Sequence, residues 1–281
     1  GKNGTGTRVQ SSTTVSISSD QPFYAKWLPQ FTINFNSQGG SAPSPANQIV
    51  TYSQAYGTLP TVTRENYVFD GWWTENNGTG TQILSSSIVS LTANSTLYAK
   101  WYRFYQVGEF GPAGGYIFYD KGSYSDGWRY MEAAPASYEY KYKPWGGSGI
   151  AVSGITWYYI GQGKENTDKI VAKFGTSEPT SNRSDYAAKL CADLSYTKDG
   201  IVYDDWFLPS RYELAFMYRN LKENNLGEFA DTWYWSSSQD EHLFPSHEID
   251  PDTAWTQNFS DGYACCHSRN SVPHVRPVRA F

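Results

Sequence analysis

Apolar and polar residues alternate in short bursts along the first hundred positions. In FTINFNSQGG, Phe31, Ile33 and Phe35 take every second place before a Gly-Gly turn, which is the period of a half-buried strand. VTYSQAYGTLP, NYVFDGWWTENNGTGT and STLYAKW continue in the same way, and no strong helix signal interrupts them. From Tyr105 the pattern changes. VGEFGPAGGYIFYD is a Gly-rich turn leading into an apolar strand. Two later stretches take the helical period. SNRSDYAAKLCADL sets Tyr186, Ala187, Leu190, Cys191 and Leu194 along one face. LPSRYELAFMYRNLKENNLG opens with Ser210 and Glu213 at capping-box spacing and ends near Gly227. Two helices among many short strands predict an α+β domain.

The chain also repeats itself. PFYAKW, ending at Trp27, returns as TLYAKW, ending at Trp101. Residues 31–101 read as one whole unit, and the stretch before Trp27 as the tail of another whose start is missing. The expected division is therefore 1–27 for that tail, 28–102 for the complete repeat and 103–281 for the α+β domain. YVFDGWWTENNGTGT and LYAKW make the unit resemble the Listeria–Bacteroides repeat of bacterial surface proteins. The resemblance implies a small β-rich, β-grasp-like fold that serves as a spacer or weak adhesive module. Of the adjacent Trp72 and Trp73, at least one is expected to fill its small core.

Composition narrows the function. Of 281 residues, 39% are apolar and 17% aromatic, too much hydrophobic material for a disordered chain. Five Lys/Arg and four Asp/Glu lie up to Trp101, leaving 17 against 23 beyond it. Neither part has the basic surface that phosphate binding needs, so nucleic acid is not an expected partner. No apolar run reaches the length of a membrane span. The abrupt opening GKNGTG leads us to expect a processed or truncated N-terminus, with a lipoprotein-type anchor removed. Three cysteines, Cys191, Cys265 and Cys266, provide no disulfide framework.

GPAGGYIFYD, YIGQGKENT, DDWFLPSRYELAFMY, TWYWSSSQ, AWTQNFSDG and VRPVRAF follow one another over 105–281. As an ordered set they resemble the C-terminal domain family of Legionella collagen-like protein. That resemblance implies a fold similar to C-type lectins and to the formylglycine-generating enzyme. It extends to the variable proteins of diversity-generating retroelements, which display mutable residues on a C-type-lectin-like scaffold. In those systems adenines of Asn codons are replaced, giving codons that end in a pyrimidine. Such codons exclude Trp, Met, Gln, Lys and Glu, and YACCHSRNSVPH at 263–274 contains none of the five. Chance alone yields this about 7% of the time, taking roughly a fifth of residues as excluded types. All four histidines, His242, His247, His267 and His274, fall in the last forty residues, and His is one base change from Asn.

The tail itself leaves several chemistries to weigh. Cys265, Cys266, His267 and His274 are zinc-ligand types, but adjacent cysteines lack the spacing with which a loop wraps a tetrahedral ion. A vicinal disulfide strains its ring, and no C-x-x-C occurs. No G-x-S-x-G, H-E-x-x-H or phosphate loop is present. The acidic stretch 240–252 suits a surface loop that can hold a hard cation, without the E-P-N or W-N-D sets of calcium-dependent lectins. No cofactor, metal or catalytic residue is therefore expected. The expected role is noncovalent recognition of a protein or glycan ligand on a host or neighbouring cell. Its expected contact residues are Thr256, Ser260, Asp261, Tyr263, Ala264, Cys265, Cys266, His267, Ser268, Asn270, Ser271, Val272 and His274, clustered on one exposed face. Asp240, His242 and Phe244 form a second tier. Trp233, Trp235, Trp255, Phe259, Phe281, Arg276 and Arg279 are expected to be scaffold. A non-variable lectin-like or cell-wall structural domain, and a cysteine-dependent enzyme, stay open as alternatives.

Overall fold

Strand alternation in the complete repeat is realised as one mixed sheet. The structure, a computed structural model, describes residues 4–155, 159–241 and 249–281, with the side chains at 240, 241 and 249 outside that description. Two compact units divide between Phe104 and Tyr105. In the first, β1 (Gln30–Asn36), β2 (Asn47–Thr51), β3 (Tyr67–Trp73), β4 (Gln82–Ile83) and β5 (Ser95–Arg103) lie in the order β2-β1-β5-β3-β4. β1 and β5 run parallel; the other pairs are antiparallel. Ile33, Trp72, Leu97 and Ala99 form the centre of the core. Trp72 is buried, its Nε1 donating to the Pro60 carbonyl at 2.7 Å. Trp73 stays half-exposed under the Lys100 ammonium, 4.2 Å from the ring centre. Residues 5–29 form no strand or helix.

The second unit mixes helices with three small sheets. β6 (Tyr116–Ser125) and β7 (Trp128–Ala133) pair as a hairpin, and the last strand, β13 (Val278–Ala280), joins the outer side of β7. Between them come α1 (Gly163–Phe174), α2 (Ala187–Ala192), the hairpin β8 (Tyr196–Lys198) and β9 (Ile201–Tyr203), and α3 (Arg211–Asn220). Then β10 (Trp233–Glu241), β11 (Ile249–Asn258) and β12 (Ala264–Ser268) make an antiparallel sheet with β11 central.

The motifs of this unit are anchors. In GPAGG, the Gly115 N–H donates to Glu132 at 2.7 Å and the Ala113 N–H does so at 3.2 Å. A Cβ on Gly115 would stand 1.7 Å from the Ala133 carbonyl oxygen, and one on Gly111 2.4 Å from the Glu132 carboxyl, so only glycine fits that approach. Glu132 is fully buried and faces Arg279, which also forms a bidentate pair with Asp205 at 2.7 and 2.8 Å. Arg279 thus pins the final strand to two parts of the domain.

α1 was not anticipated from the sequence. Its buried face begins with Gly163, Asn166 and Thr167 and becomes apolar only at Ile170 and Phe174. That face carries too few hydrophobic residues for a periodicity argument. α3 begins with the predicted capping box: Ser210 Oγ accepts from the Glu213 N–H, and Glu213 accepts from the Ser210 N–H at 2.7 Å. The other Glu213 oxygen accepts from the N–H groups of Gly161 and Gly163. One carboxyl therefore holds the starts of both α1 and α3.

Burial pushes the Glu213 carboxyl up to about 7. In the native state it holds a proton that the unfolded chain releases near the ordinary carboxylate value. The associated stabilisation is fully present below that value and is lost as pH rises through 7, a change of at most about 3 kcal/mol. Denaturant unfolding of the C-terminal unit between pH 4.5 and 8 is expected to show this decline. Glu213→Gln is expected to flatten it.

Candidate functional site

β12 is an edge strand, and its neighbour β11 decides which way each side chain points. Directly opposed residues of an antiparallel pair share a face, and successive residues alternate. Cys265 lies opposite Thr256 and His267 opposite Ala254, whereas Cys266 lies opposite Trp255. Cys265 and His267 therefore share one face with Thr256, and Cys266 occupies the other.

On the first face Trp235 and Ala254 run into a core with Trp145, Ile170 and Cys191. Toward the edge, the Thr256 hydroxyl donates to the Cys265 carbonyl at 2.9 Å and lies 2.8 Å from His267 Nδ1. Cys265 Sγ is 3.6 Å from the same nitrogen. The Trp233 ring packs on His267 at 4.4 Å and meets Tyr263 edge-on at 6.3 Å. Burial pushes the Cys265 thiol up and the His267 imidazole down, so both are neutral at pH 7. This is not an activated thiolate–imidazolium pair.

The second face packs on α3. Tyr234 and Phe259 join Leu214, Met217 and Leu221 in a separate core. The Arg211 guanidinium stacks on Trp255, 3.6 Å from the ring centre. Cys266 borders that stack and is half-buried.

The turns flanking β12 carry the most open residues. Ser260 and Asp261 are exposed; Asn258 Oδ1 accepts from the Ser260 N–H at 3.0 Å, and Asp261 Oδ1 accepts from the Tyr263 N–H at 2.9 Å. Tyr263 is 64% exposed and Val272 48%. Ser268 and Asn270 are exposed, while Ala264, Cys265, His267 and Ser271 are half-buried. His242, Phe244 and the side chain of Asp240 lie outside the described residues.

Three expected contact residues need correcting. Thr256 is 1% exposed and serves to orient His267 from within the sheet. Cys266 belongs to the α3 side, because strand parity separates adjacent residues, and Ala264 and Ser268 share its parity rather than that of Cys265 and His267. His274 is 5% exposed. It follows the turn back into the interior, where its N–H donates to the Trp233 carbonyl and the Trp235 N–H donates to its own. Its Nδ1 is 2.9 Å from Glu139 Oε1. The other Glu139 oxygen accepts from Arg276 Nη2 at 2.5 Å, Arg276 Nε at 3.1 Å and the Tyr234 hydroxyl at 2.8 Å.

Arg269 is not among the expected contact residues, although it lies inside the stretch expected to be displayed. Its side chain is fully buried. Nε donates to the Thr253 carbonyl, Nη1 to those of Gly147 and Ile150, and Nη2 to Gln239 Oε1. The ring of Trp145 lies 4.3 Å from the guanidinium. Burial pulls the guanidinium down to about 10, so it remains charged at neutral pH. The available signal was that, histidines aside, Asp261 and Arg269 are the only charged residues of 253–275. A solitary cation in a neutral segment marks an anchor. Gln239 supports it and also exchanges both amide bonds with Val152, at 2.7 and 2.9 Å.

Trp235 and Phe259 are fully buried, in keeping with scaffold roles, and Arg276 and Arg279 are tied to carboxylates. Trp233 and Trp255 are half-exposed and border the two faces of β12. No group of three or more His, Cys, Asp or Glu side chains gathers as a metal cluster among the described residues. Among those residues no helix is long and apolar enough to cross a membrane.

Comparison with known proteins bears on the first unit. None of the curated proteins compared matches the chain. The chain carries a Listeria-Bacteroides repeat domain over residues 31–100, a module typical of extracellular or surface proteins.

Proposed function

We propose that this is a surface-displayed bacterial recognition protein. Its β-rich repeat acts as a spacer, and its C-terminal unit, with a C-type-lectin-like scaffold, presents a variable ligand-binding edge. The carrying observation is the interleaving of locked and open residues within one short segment. Phe259, Arg269, His274 and Arg276 are buried and tied down, while Ser260, Asp261, Tyr263, Ser268, Asn270 and Val272 between them reach solvent. Rigid anchors with chemically mixed side chains between them are what a recognition surface requires. Tyr supplies contact area at low entropy cost, and Ser and Asn adapt their hydrogen bonds. The composition of 263–274 supports diversification by adenine replacement, as in the retroelement variable proteins, among them the treponeme variable protein that the C-terminal unit resembles. Attachment to the cell surface as a lipoprotein belongs to the same reading.

The test separates fold from recognition. Ser260, Tyr263, Ser268, Asn270 and Val272 are replaced together by Ala in the full chain. Melting is expected to move by only a few degrees, because exposed positions each change stability by about 0.5 kcal/mol or less. Binding of the labelled chain to a panel of bacterial and host cells is expected to fall to background. Unchanged binding to the same cells would overturn the reading.

A further inference from the structure

Ten residues other than glycine take a positive φ among the described residues, and six of them are Asn or Asp. Those two types visit the left-handed region through local hydrogen bonds. Tyr142, at φ 57°, is the one aromatic residue of the ten. A bulky ring in that region is an outlier, and it persists only where its surroundings hold it. The surroundings here are a β-bulge. Tyr140 and Val275 exchange both backbone bonds, at 2.9 and 2.8 Å, and a regular antiparallel ladder would next join residues 142 and 273. Instead the Lys143 N–H donates to the Pro273 carbonyl at 3.1 Å, so one extra residue is accommodated before it. Trp235 Nε1 secures the far side of the bulge by donating to the Lys143 carbonyl at 2.8 Å. The Tyr142 ring meets His274 edge-on at 5.2 Å, yet the residue is 68% exposed. A ring so exposed adds little burial energy, and glycine would take this φ without strain. Stability therefore does not account for a tyrosine at this position.

We propose that Tyr142 is a fixed contact residue of the recognition surface, placed beside the variable tail by its bulge. This role rests on the recognition reading above. The bond from Lys143 to Pro273 sets Tyr142 next to the turn that carries Val272, which is 48% exposed. His274 then bonds through its backbone to Trp233, and Trp233 pairs with Asn258, whose N–H donates to the Tyr263 carbonyl. Tyr142, Val272, Trp233 and Tyr263 are thus successive neighbours along one end of the sheet. Three strand spacings separate the first from β11, a span of about 15 Å, well within one recognition patch of about 800 Å². The ring offers an apolar surface and its hydroxyl a polar tip, at the low entropy cost of two side-chain torsions. Tyr142 also lies far in sequence from 263–274. Every version of the tail therefore shares it, and it engages a feature common to the ligands of all versions.

Tyr142→Gly in the full chain separates a contact role from a structural one. Its melting temperature is expected to stay level or rise by a few degrees, because strain is relieved and little packing is lost. Binding of the labelled chain to those cells of the panel that bind the parent is expected to fall at least about tenfold, as truncation of an aromatic hot spot does. Tyr124→Ala serves as the control, since Tyr124 is 71% exposed on the β6–β7 hairpin, and it is expected to leave binding unchanged. A lower melting temperature in Tyr142→Gly would make the ring a packing residue and overturn the assignment. Undiminished binding, or an equal loss in Tyr124→Ala, would overturn it too. The five-residue Ala variant keeps the two ideas apart. Binding lost there but kept in Tyr142→Gly strikes the role of Tyr142 alone. Binding kept there but lost in Tyr142→Gly strikes the tail and leaves Tyr142 as a contact.

Discussion

Arg269→Met is expected to destabilise the C-terminal unit by about 3–5 kcal/mol, enough to leave much of it unfolded at 37 °C. The guanidinium donates to the carbonyls of Thr253, Gly147 and Ile150 and to Gln239 Oε1, and it is fully buried. Replacing a buried charge by an apolar side chain is often harmless when its partner is replaced as well. Here three of the partners are backbone oxygens, which no substitution removes. Each buried acceptor left without a donor costs about 1–3 kcal/mol, and loss of the contact with Trp145 adds to that. Urea unfolding followed by far-ultraviolet circular dichroism measures the change. Ser268→Ala and Asn270→Ala, on either side of Arg269 and exposed, are expected to shift stability by no more than about 0.5 kcal/mol. A similar small shift for Arg269→Met would show that the knot is not an anchor.

Glu139→Ala is expected to be comparably damaging, by about 3–5 kcal/mol, for a different reason. Glu139 is the acceptor at which Arg276, His274 and Tyr234 converge, and its side chain is 4% exposed. Removing it leaves a buried guanidinium without a counter-charge. Removing His274 instead leaves the Glu139–Arg276 pair intact, so His274→Ala is expected to cost about 1–3 kcal/mol. Glu139→Gln, which keeps an acceptor and loses the charge, is expected to fall between the two. The order Glu139→Ala, Glu139→Gln, His274→Ala in decreasing damage is the result to look for in the same unfolding experiment. Greater damage from His274→Ala than from Glu139→Ala would mean that the arginine is satisfied elsewhere.

These residues also show where the sequence was legible. Ser210 and Glu213 announced the start of α3 because a capping box is local: both of its bonds close within one helical turn. Phe31, Ile33 and Phe35 announced β1 because alternation is local too. Glu213's second task, gripping the start of α1 through Gly161 and Gly163, joins positions about fifty apart in the chain, and no spacing rule reaches that far. The residue types of His274 and Thr256 suit a variable surface, so the sequence predicts them to be displayed. Burial at those positions comes from the chain turning inward after Val272 and from the pairing of β11 with β12. Cys265 and Cys266 drew attention as a pair, yet adjacency on a strand is the arrangement that keeps two side chains apart.

That separation bears on how the edge can change over generations. Phe259 and Arg269 are fixed in the interior at the two ends of the β12 hairpin. The number of residues between them sets which of the intervening side chains face each way. Inserting or deleting a single residue would carry Cys265 and His267 to the α3 side and draw Cys266 toward Thr256, or else pull Arg269 out of its carbonyl cage. Substitution has neither effect. The segment is therefore permissive in spelling and strict in length, and a process that diversifies it without loss of the fold must overwrite letters rather than add or remove them.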